Sequence, residues 1–237
     1  MNDSKKFDPA KLAKLNDPRR LEYLNPDVIW EKAVLNNPRV LIDIGAGTGF
    51  FALLFSKKIT KGKVYACDIS DKMLAWMDDN LPIESKGIVI PVKMEESSIP
   101  LPDDSADLVY MINLHHELEE PLKILEESRR LLKNDGKLMI IDWKKEETPE
   151  GPPPEIRVAE ATIESQMRKS GFSNRPQGST GLPVGECVPE QSGGLTAKSV
   201  KRSLHSAKVP RACPWVSTIN KYADLPYHHF LVGEKKA

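Results

Sequence analysis

The stretch Gly45-Ala46-Gly47-Thr48-Gly49 carries the sharpest chemical signal in the chain. It follows a short apolar run, Arg39-Val-Leu-Ile-Asp43, and precedes Phe50 to Lys58, where apolar residues recur at helical spacing. A strand, a tight glycine turn and a helix in that order bring a ligand close to bare backbone and aim the N–H groups of the helix start at it. Such a loop suits a nucleotide-like cofactor. The glycines fall as G-x-G-x-G, whereas the dinucleotide fingerprint G-x-G-x-x-G needs glycine where Phe50 stands. Asp68 closes the next apolar run, Lys63 to Asp68, about twenty residues on, where a carboxylate can accept hydrogen bonds from ribose hydroxyls. Asp43, just before the loop, either orients the turn or sits near a cationic group of the ligand.

A second constellation is histidine-rich: Asn113-Leu114-His115-His116-Glu117 and, far along the chain, Tyr227-His228-His229. Histidine titrates near neutral pH and can take a proton from a hydroxyl, an amine or a carbon acid, so His115 or His116 is the candidate base. The competing reading makes one ring of each pair a structural, hydrogen-bonded group and the other a surface group. His115, Glu117 and His228 could in principle hold zinc or iron, but no His-x-x-x-His spacing preforms such a site, and no metal is expected. Trp143 and Tyr227 could wall a planar or cationic substrate beside His228, or could equally be core residues.

These residues need a frame, and the alternation of elements supplies one. Strands are expected at Lys63–Asp68, Ile88–Val92, Asp107–Ile112 and Lys137–Asp142, and helices at Asp71–Asn80, Leu118–Leu132 and Glu155–Ser170. Asn134-Asp135-Gly136 reads as the turn after the second of these helices, Thr148–Pro154 as a stiff loop, and Gly171 as a helix terminator. Repeated β-α units imply a parallel sheet covered on both faces, with ligands at the carboxyl ends of the strands. That rim would carry Asp43 to Gly49, Asp68, Asn113 to Glu117 and Asp142-Trp143. If the last strand, within Leu225–Gly233, is antiparallel, its beginning reaches the same rim and brings Tyr227 and His228 towards His115 and His116. The pairs Asp8-Pro9, Asp17-Pro18 and Asn25-Pro26 each join a capping side chain to a first-turn proline, which predicts three short N-terminal helices. Residues 175–214, rich in Gly, Pro and Ser with several Lys and Arg, break the pattern and read as an irregular, mobile insertion; Trp215–Tyr222 could resume as a strand.

Taken together, VLIDIGAGTGFFALLFSKK, VYACDIS and MEESSIPLPDDSADLVYMINLHHELEEPLKILEESRRLLKNDGKLMIIDWKK resemble the class I S-adenosylmethionine-dependent methyltransferases, in the small-molecule branch that includes quinone-biosynthesis enzymes. The resemblance spans roughly residues 38–172 and resumes at the C-terminal strand. It implies a Rossmann-like α/β fold with a seven-stranded, mostly parallel sheet of order 3-2-1-4-5-7-6, its last strand antiparallel and helices on both faces. It also implies S-adenosyl-L-methionine as cofactor and a small-molecule methyl acceptor as partner. Carried over by position, Gly45, Ala46, Gly47 and Gly49 would cradle the amino-acid end of the cofactor. Asp68 would bind its ribose, Ile69 and Met73 would flank its adenine, Glu95 and Glu96 would contact the adenine amino group, and Asn113 and Leu114 would line the methionine portion. Residues 1–35 would form a helical lid carrying Tyr23 and Trp30 as pocket residues, and 36–237 the methyltransferase domain. The irregular segment departs from the family pattern.

Composition narrows the partners. The chain has 237 residues, enough for one α/β domain with extra material. Acidic and basic residues balance at 34 each, so no global field attracts nucleic acid or an anionic membrane. The three cysteines, Cys67, Cys187 and Cys213, fit neither a disulfide framework nor a zinc spacing, and the N-terminus lacks an apolar targeting core. A cytoplasmic enzyme without a membrane span is the expectation. An oxidoreductase using a dinucleotide, or a cofactor-binding scaffold, stands as the alternative.

Overall fold

Residues 12–174 and 225–235 are described by a computed structural model. The apolar, β-branched runs form strands β1 (Val40–Ile44), β2 (Lys63–Asp68), β3 (Val89–Lys93), β4 (Ala106–Ile112), β5 (Leu132–Trp143), β6 (Phe172–Asn174) and β7 (His228–Lys235). They make one sheet in the order β3-β2-β1-β4-β5-β7-β6. Strands β1 to β5 run parallel, and β7 is antiparallel to both β5 and β6, as the resemblance implied. Helices α1 (Leu12–Leu15), α2 (Pro26–Ala33), α3 (Phe50–Ser56), α4 (Asp71–Asn80), α5 (Pro121–Leu131) and α6 (Glu160–Lys169) complete the α/β pattern.

The two-residue period of a strand sends alternate side chains to opposite faces, and both faces are buried. Leu41, Val64, Leu108, Met139 and Ile141 pack on one side with Leu24 and Ile29 from the N-terminal segment and Phe51 and Phe55 of α3. Ile42, Ile44, Val109, Leu138 and Ile140 pack on the other with Ile124 and Leu125 of α5 and Ile163 and Met167 of α6. Among the described residues no helix is long and apolar enough to cross a membrane.

Two of the expected N-terminal caps form. Asp17 accepts the Arg19 amide at the start of a 3-10 turn, Pro18–Glu22, and Asn25 accepts the Asp27 and Val28 amides at the start of α2. Asp8-Pro9, the segment 175–214 and Trp215–Tyr222 lie outside the described residues. Other boundaries are corrected. Helix α5 begins at Pro121 because residues 115–117 form their own 3-10 turn, and α6 begins at Glu160 because Pro154–Ile156 does the same. Asn134-Asp135-Gly136 does not separate helix from strand. Leu132 already pairs with Ala106, and pairing resumes at Lys137 with Leu108, so residues 133–136 bulge opposite Asp107. The Asp107 carboxylate fastens that bulge through Lys133 at 2.5 Å while accepting the Arg39 and Val40 amides at 2.8 Å.

Strand β2 enters the sheet through Gly62. A Cβ there would lie 2.0 Å from the Arg39 carbonyl oxygen, the acceptor of the Lys63 amide. Gly62→Ala is expected to lower stability by about 1–3 kcal/mol, the usual cost of an overpacked site. Chemical denaturation measures it; an unchanged midpoint would show that the β1–β2 junction is not tight.

Candidate active site

Gly45, Gly47 and Gly49 adopt φ of +70°, +56° and +72°, a left-handed geometry that favours glycine. At Gly45 there is no room either, since a Cβ would sit 2.7 Å from a Leu114 methyl group. The loop is sewn to the end of β2. Gly45 and Ala46 both donate to the Cys67 carbonyl (2.9 and 3.0 Å), Gly47 donates to Asp68 Oδ2 (2.8 Å), and Gly49 donates to the Ala46 carbonyl (2.9 Å). These four loop amides are thus satisfied within the protein, and the glycines contribute the shape of the turn.

Asp68 also accepts the Ser70 amide on Oδ1 at 2.8 Å. An ionised carboxylate has about four acceptor positions, so two remain for hydroxyl donors. Burial holds Asp68 above the usual carboxylate range, with the Ser70 and Gly47 amides opposing the shift. Burial likewise pushes Asp43 well above its ordinary value, assisted by the charge of Asp68.

The loop opens on a cleft of about 1360 Å³ at the carboxyl ends of the parallel strands. Asp43, Gly45, Ala46, Gly47, Asp68, Ile69, Met73, Glu96, Asn113, Leu114, His116, Trp143 and Tyr227 line it. Gly49, Glu95, His115 and His228 lie off its walls. Gly49 backs onto Met77, and the Glu95 backbone pairs with Ser98. Asn113 stands at the end of β4 with φ +59°, and its Oδ1 is buried without a hydrogen-bond partner among the described residues. Trp30 is not a pocket residue: it packs on Phe55 at 5.6 Å, whereas Tyr23 does reach the cleft. The proline loop closes one side with Glu150, Gly151 and Pro152. Arg157 holds that loop by donating to the carbonyls of Pro152 (2.7 Å), Lys144 (3.0 Å) and Glu146 (2.7 Å). Neither Arg157 nor Arg20, which also lines the cleft, stands out by motif or spacing.

The 3-10 turn at 115–117 gives adjacent imidazoles different partners. His115 Nε2 meets Gln166 Oε1 of α6 at 2.8 Å, which makes it a packing histidine whose pKa burial lowers. His116 Nδ1 meets Asp142 Oδ1 at 2.7 Å, and its amide donates to Asp142 Oδ2 at 2.9 Å. Burial disfavours the charged ring of His116, but the hydrogen bond and charge of Asp142 outweigh it and raise the pKa; Asp142 is lowered in turn. With Nδ1 tied to a carboxylate, Nε2 is the basic nitrogen.

The β5–β7 register sets His228 opposite Trp143 and His229 opposite Asp142. The His228 ring lies 4.2 Å from that of Trp143 and stacks parallel to Tyr23 at 5.8 Å, and neither of its nitrogens has a hydrogen-bond partner among the described residues. Burial lowers its pKa to about 3 against the pull of Asp142. His229 turns to Glu160 at 3.2 Å. The expected convergence therefore occurs around Asp142, whose charge acts on all four imidazoles, without the rings sharing one site. Among the described residues no three His, Cys, Asp or Glu side chains form a metal-holding group.

Comparison with known proteins bears on the family and the fold. A family described as methyltransferase domain matches residues 42–140. The chain is 40% identical to a SAM-dependent methyltransferase from Aquifex aeolicus, covering 72% of this chain and 91% of that one with a TM-score of 0.67. It is 36% identical to a ubiquinone/menaquinone biosynthesis C-methyltransferase UbiE of Cupriavidus taiwanensis, over 44% of this chain and 43% of the relative. It is 34% identical to a demethylmenaquinone methyltransferase of Chlamydia muridarum, over 43% of each. The chain thus spans less than half the length of these two curated relatives.

Removing the Asp142 charge leaves buried His116 with only the weaker pull of Glu117, 3.8 Å from Nε2, to favour its cation. Imidazole resonances followed by NMR should show the His116 pKa above the ordinary 6.5 in the wild type and lower in Asp142→Asn; an unchanged value would refute the pairing. His228 gives an acid-side prediction. Its folded pKa of about 3 lies below the ordinary 6.5, so the unfolded chain binds the proton first and stability falls as pH drops from 6.5 towards 3. The slope from this ring is about 1.4 kcal/mol per pH unit. Denaturation at several pH values should show a shallower acid slope in His228→Phe, and identical slopes would refute the burial of a neutral ring.

Proposed function

The chain belongs to the S-adenosylmethionine-dependent methyltransferases, and we propose that it transfers the cofactor's methyl group to a small planar acceptor whose accepting atom gives its proton to His116. The observation that carries this reading is the His116–Asp142 pair lining the same cleft as the glycine loop and Asp68.

The residues fit the group. Asp68 keeps two acceptor positions for ribose hydroxyls, Ile69 and Met73 on the cleft wall would flank the adenine, and Glu96 on the same wall would meet its amino group. The orphaned Asn113 Oδ1 offers an acceptor to the ammonium group, with Leu114 beside it and the glycine loop supplying shape. When bound, the cofactor supplies an electrophilic methyl carbon on a sulfonium. His116 Nε2 takes the acceptor's proton while Asp142 fixes the tautomer and carries the balancing charge. Tyr23, Trp143 and Tyr227 give the acceptor an aromatic wall, with the N-terminal segment as its lid. The names of the quinone-pathway relatives and this wall together favour a hydroquinone or another phenol as the acceptor class. We place the reaction in the cytoplasm, which suits three cysteines without a pairing pattern.

Calorimetric titration with S-adenosylhomocysteine and with NAD tests the cofactor, and binding of NAD alone would overturn the reading. With a labelled methyl donor and a panel of hydroquinones, His116→Gln should lower kcat by roughly 100- to 10,000-fold while S-adenosylhomocysteine affinity stays unchanged. Full activity in that variant would remove His116 from the mechanism.

A further inference from the structure

Among the described residues, one half-buried cation on the cleft forms no ion pair. Arg20, in the 3-10 turn Pro18–Glu22, is half-buried with its guanidinium 5.2 Å from the ring centres of both Phe50 and Phe51. Its neighbour Arg19 is neutralised by Asp17 at 2.6 Å. Among the described residues Arg20 forms no ion pair, and its one hydrogen bond donates Nη1 to the Leu15 carbonyl at 2.5 Å. A guanidinium carries five N–H donors, and burying one without an anion is costly, so this arrangement calls for a ligand carboxylate. Burial pulls the Arg20 pKa down, with the charges of Tyr23, Asp43 and Asp17 pulling the other way.

The position of the cation says which carboxylate. The segment bearing Arg20 is attached to the glycine loop, because Thr48 Oγ1 donates to Asn16 Oδ1 at 2.9 Å and Leu15 lies 3.1 Å from where a Gly47 Cβ would be. The amides of Gly45, Ala46, Gly47 and Gly49 are already taken, which leaves an incoming carboxylate to find another donor. Lys14 and Arg19 border the same cleft but are exposed, and Arg19 is paired.

We propose that Arg20 binds the carboxylate of the cofactor's amino-acid end, so that the N-terminal segment completes the cofactor site instead of only covering the acceptor. This rests on the reading of the cleft as an S-adenosylmethionine site.

The test is calorimetry on the full chain with S-adenosylhomocysteine and with its decarboxylated analogue, which ends in the amine alone. The wild type should prefer S-adenosylhomocysteine by about 10- to 100-fold, the range of a charge-assisted hydrogen bond. Arg20→Met should lose that preference by weakening S-adenosylhomocysteine while binding the analogue as the wild type does, and Arg20→Lys should recover part of it. Undiminished analogue binding also shows that the variant is folded. Equal weakening of both ligands would make Arg20 a structural residue and overturn the proposal, as would unchanged S-adenosylhomocysteine affinity in Arg20→Met. A wild type that binds S-adenosylhomocysteine and the analogue equally defeats the Arg20 assignment alone. A wild type that binds neither defeats the cofactor reading as well.

Discussion

The rim depends on the seam between the glycine loop and the carboxyl end of β2. The Cys67 carbonyl accepts two amides, from Gly45 and Ala46, which uses both of its lone pairs. Asp68 then clamps Gly47 with one oxygen and Ser70, at the start of α4, with the other. Each such bond adds only about 1 kcal/mol net, but a buried amide deprived of its partner costs about 1–3 kcal/mol, so the loop has little freedom to adopt another shape. The left-handed glycines are the backbone solution to that constraint, and the close approach of Leu114 to Gly45 transmits it to the end of β4. A binding surface built this way is rigid before any ligand arrives.

Much of this frame was legible in the sequence. The strand at Val40–Ile44, the G-x-G-x-G turn and Asp68 share one local grammar, and Asp17 and Asn25 announce their helices through capping chemistry. Elsewhere local chemistry is overruled by pairing. Asn134-Asp135-Gly136 has the composition of a turn, yet a bulge closed by Asp107 keeps it in the ladder. Adjacent residues on a tight turn are harder still, since nothing in the dipeptide His115-His116 says which ring will find Gln166 and which Asp142. Arg20 escaped notice because its importance lies in a missing partner, and an absent ion pair leaves no mark on spacing.

Neighbouring histidines with opposite protonation habits follow from one carboxylate. Asp142 touches His116 and acts on His228 only through space, so the same charge overcomes burial for the first ring and fails for the second. His228 is kept instead by packing against Trp143 and Tyr23, where a neutral planar ring serves as well as a phenyl would. The β5–β7 register sets His228 opposite Trp143 and not Asp142, while the 115–117 turn brings His116 onto the Asp142 carboxylate.

That placement bears on how charge moves in methyl transfer. In the reaction proposed above, positive charge would leave the sulfur as the methyl group departs, and proton transfer from the acceptor would bring positive charge to His116. A carboxylate stabilises the transition state most when it stands where charge arrives, since interaction with the departing charge favours the ground state. Asp142, at 2.7 Å from His116 Nδ1, occupies the arriving end. Asp43 lies nearer the loop, where the departing charge would sit, and burial holds its carboxyl well above the usual range, which favours the neutral form. The rim thus keeps its firmest negative charge on the side of the base, and softens the one beside the loop.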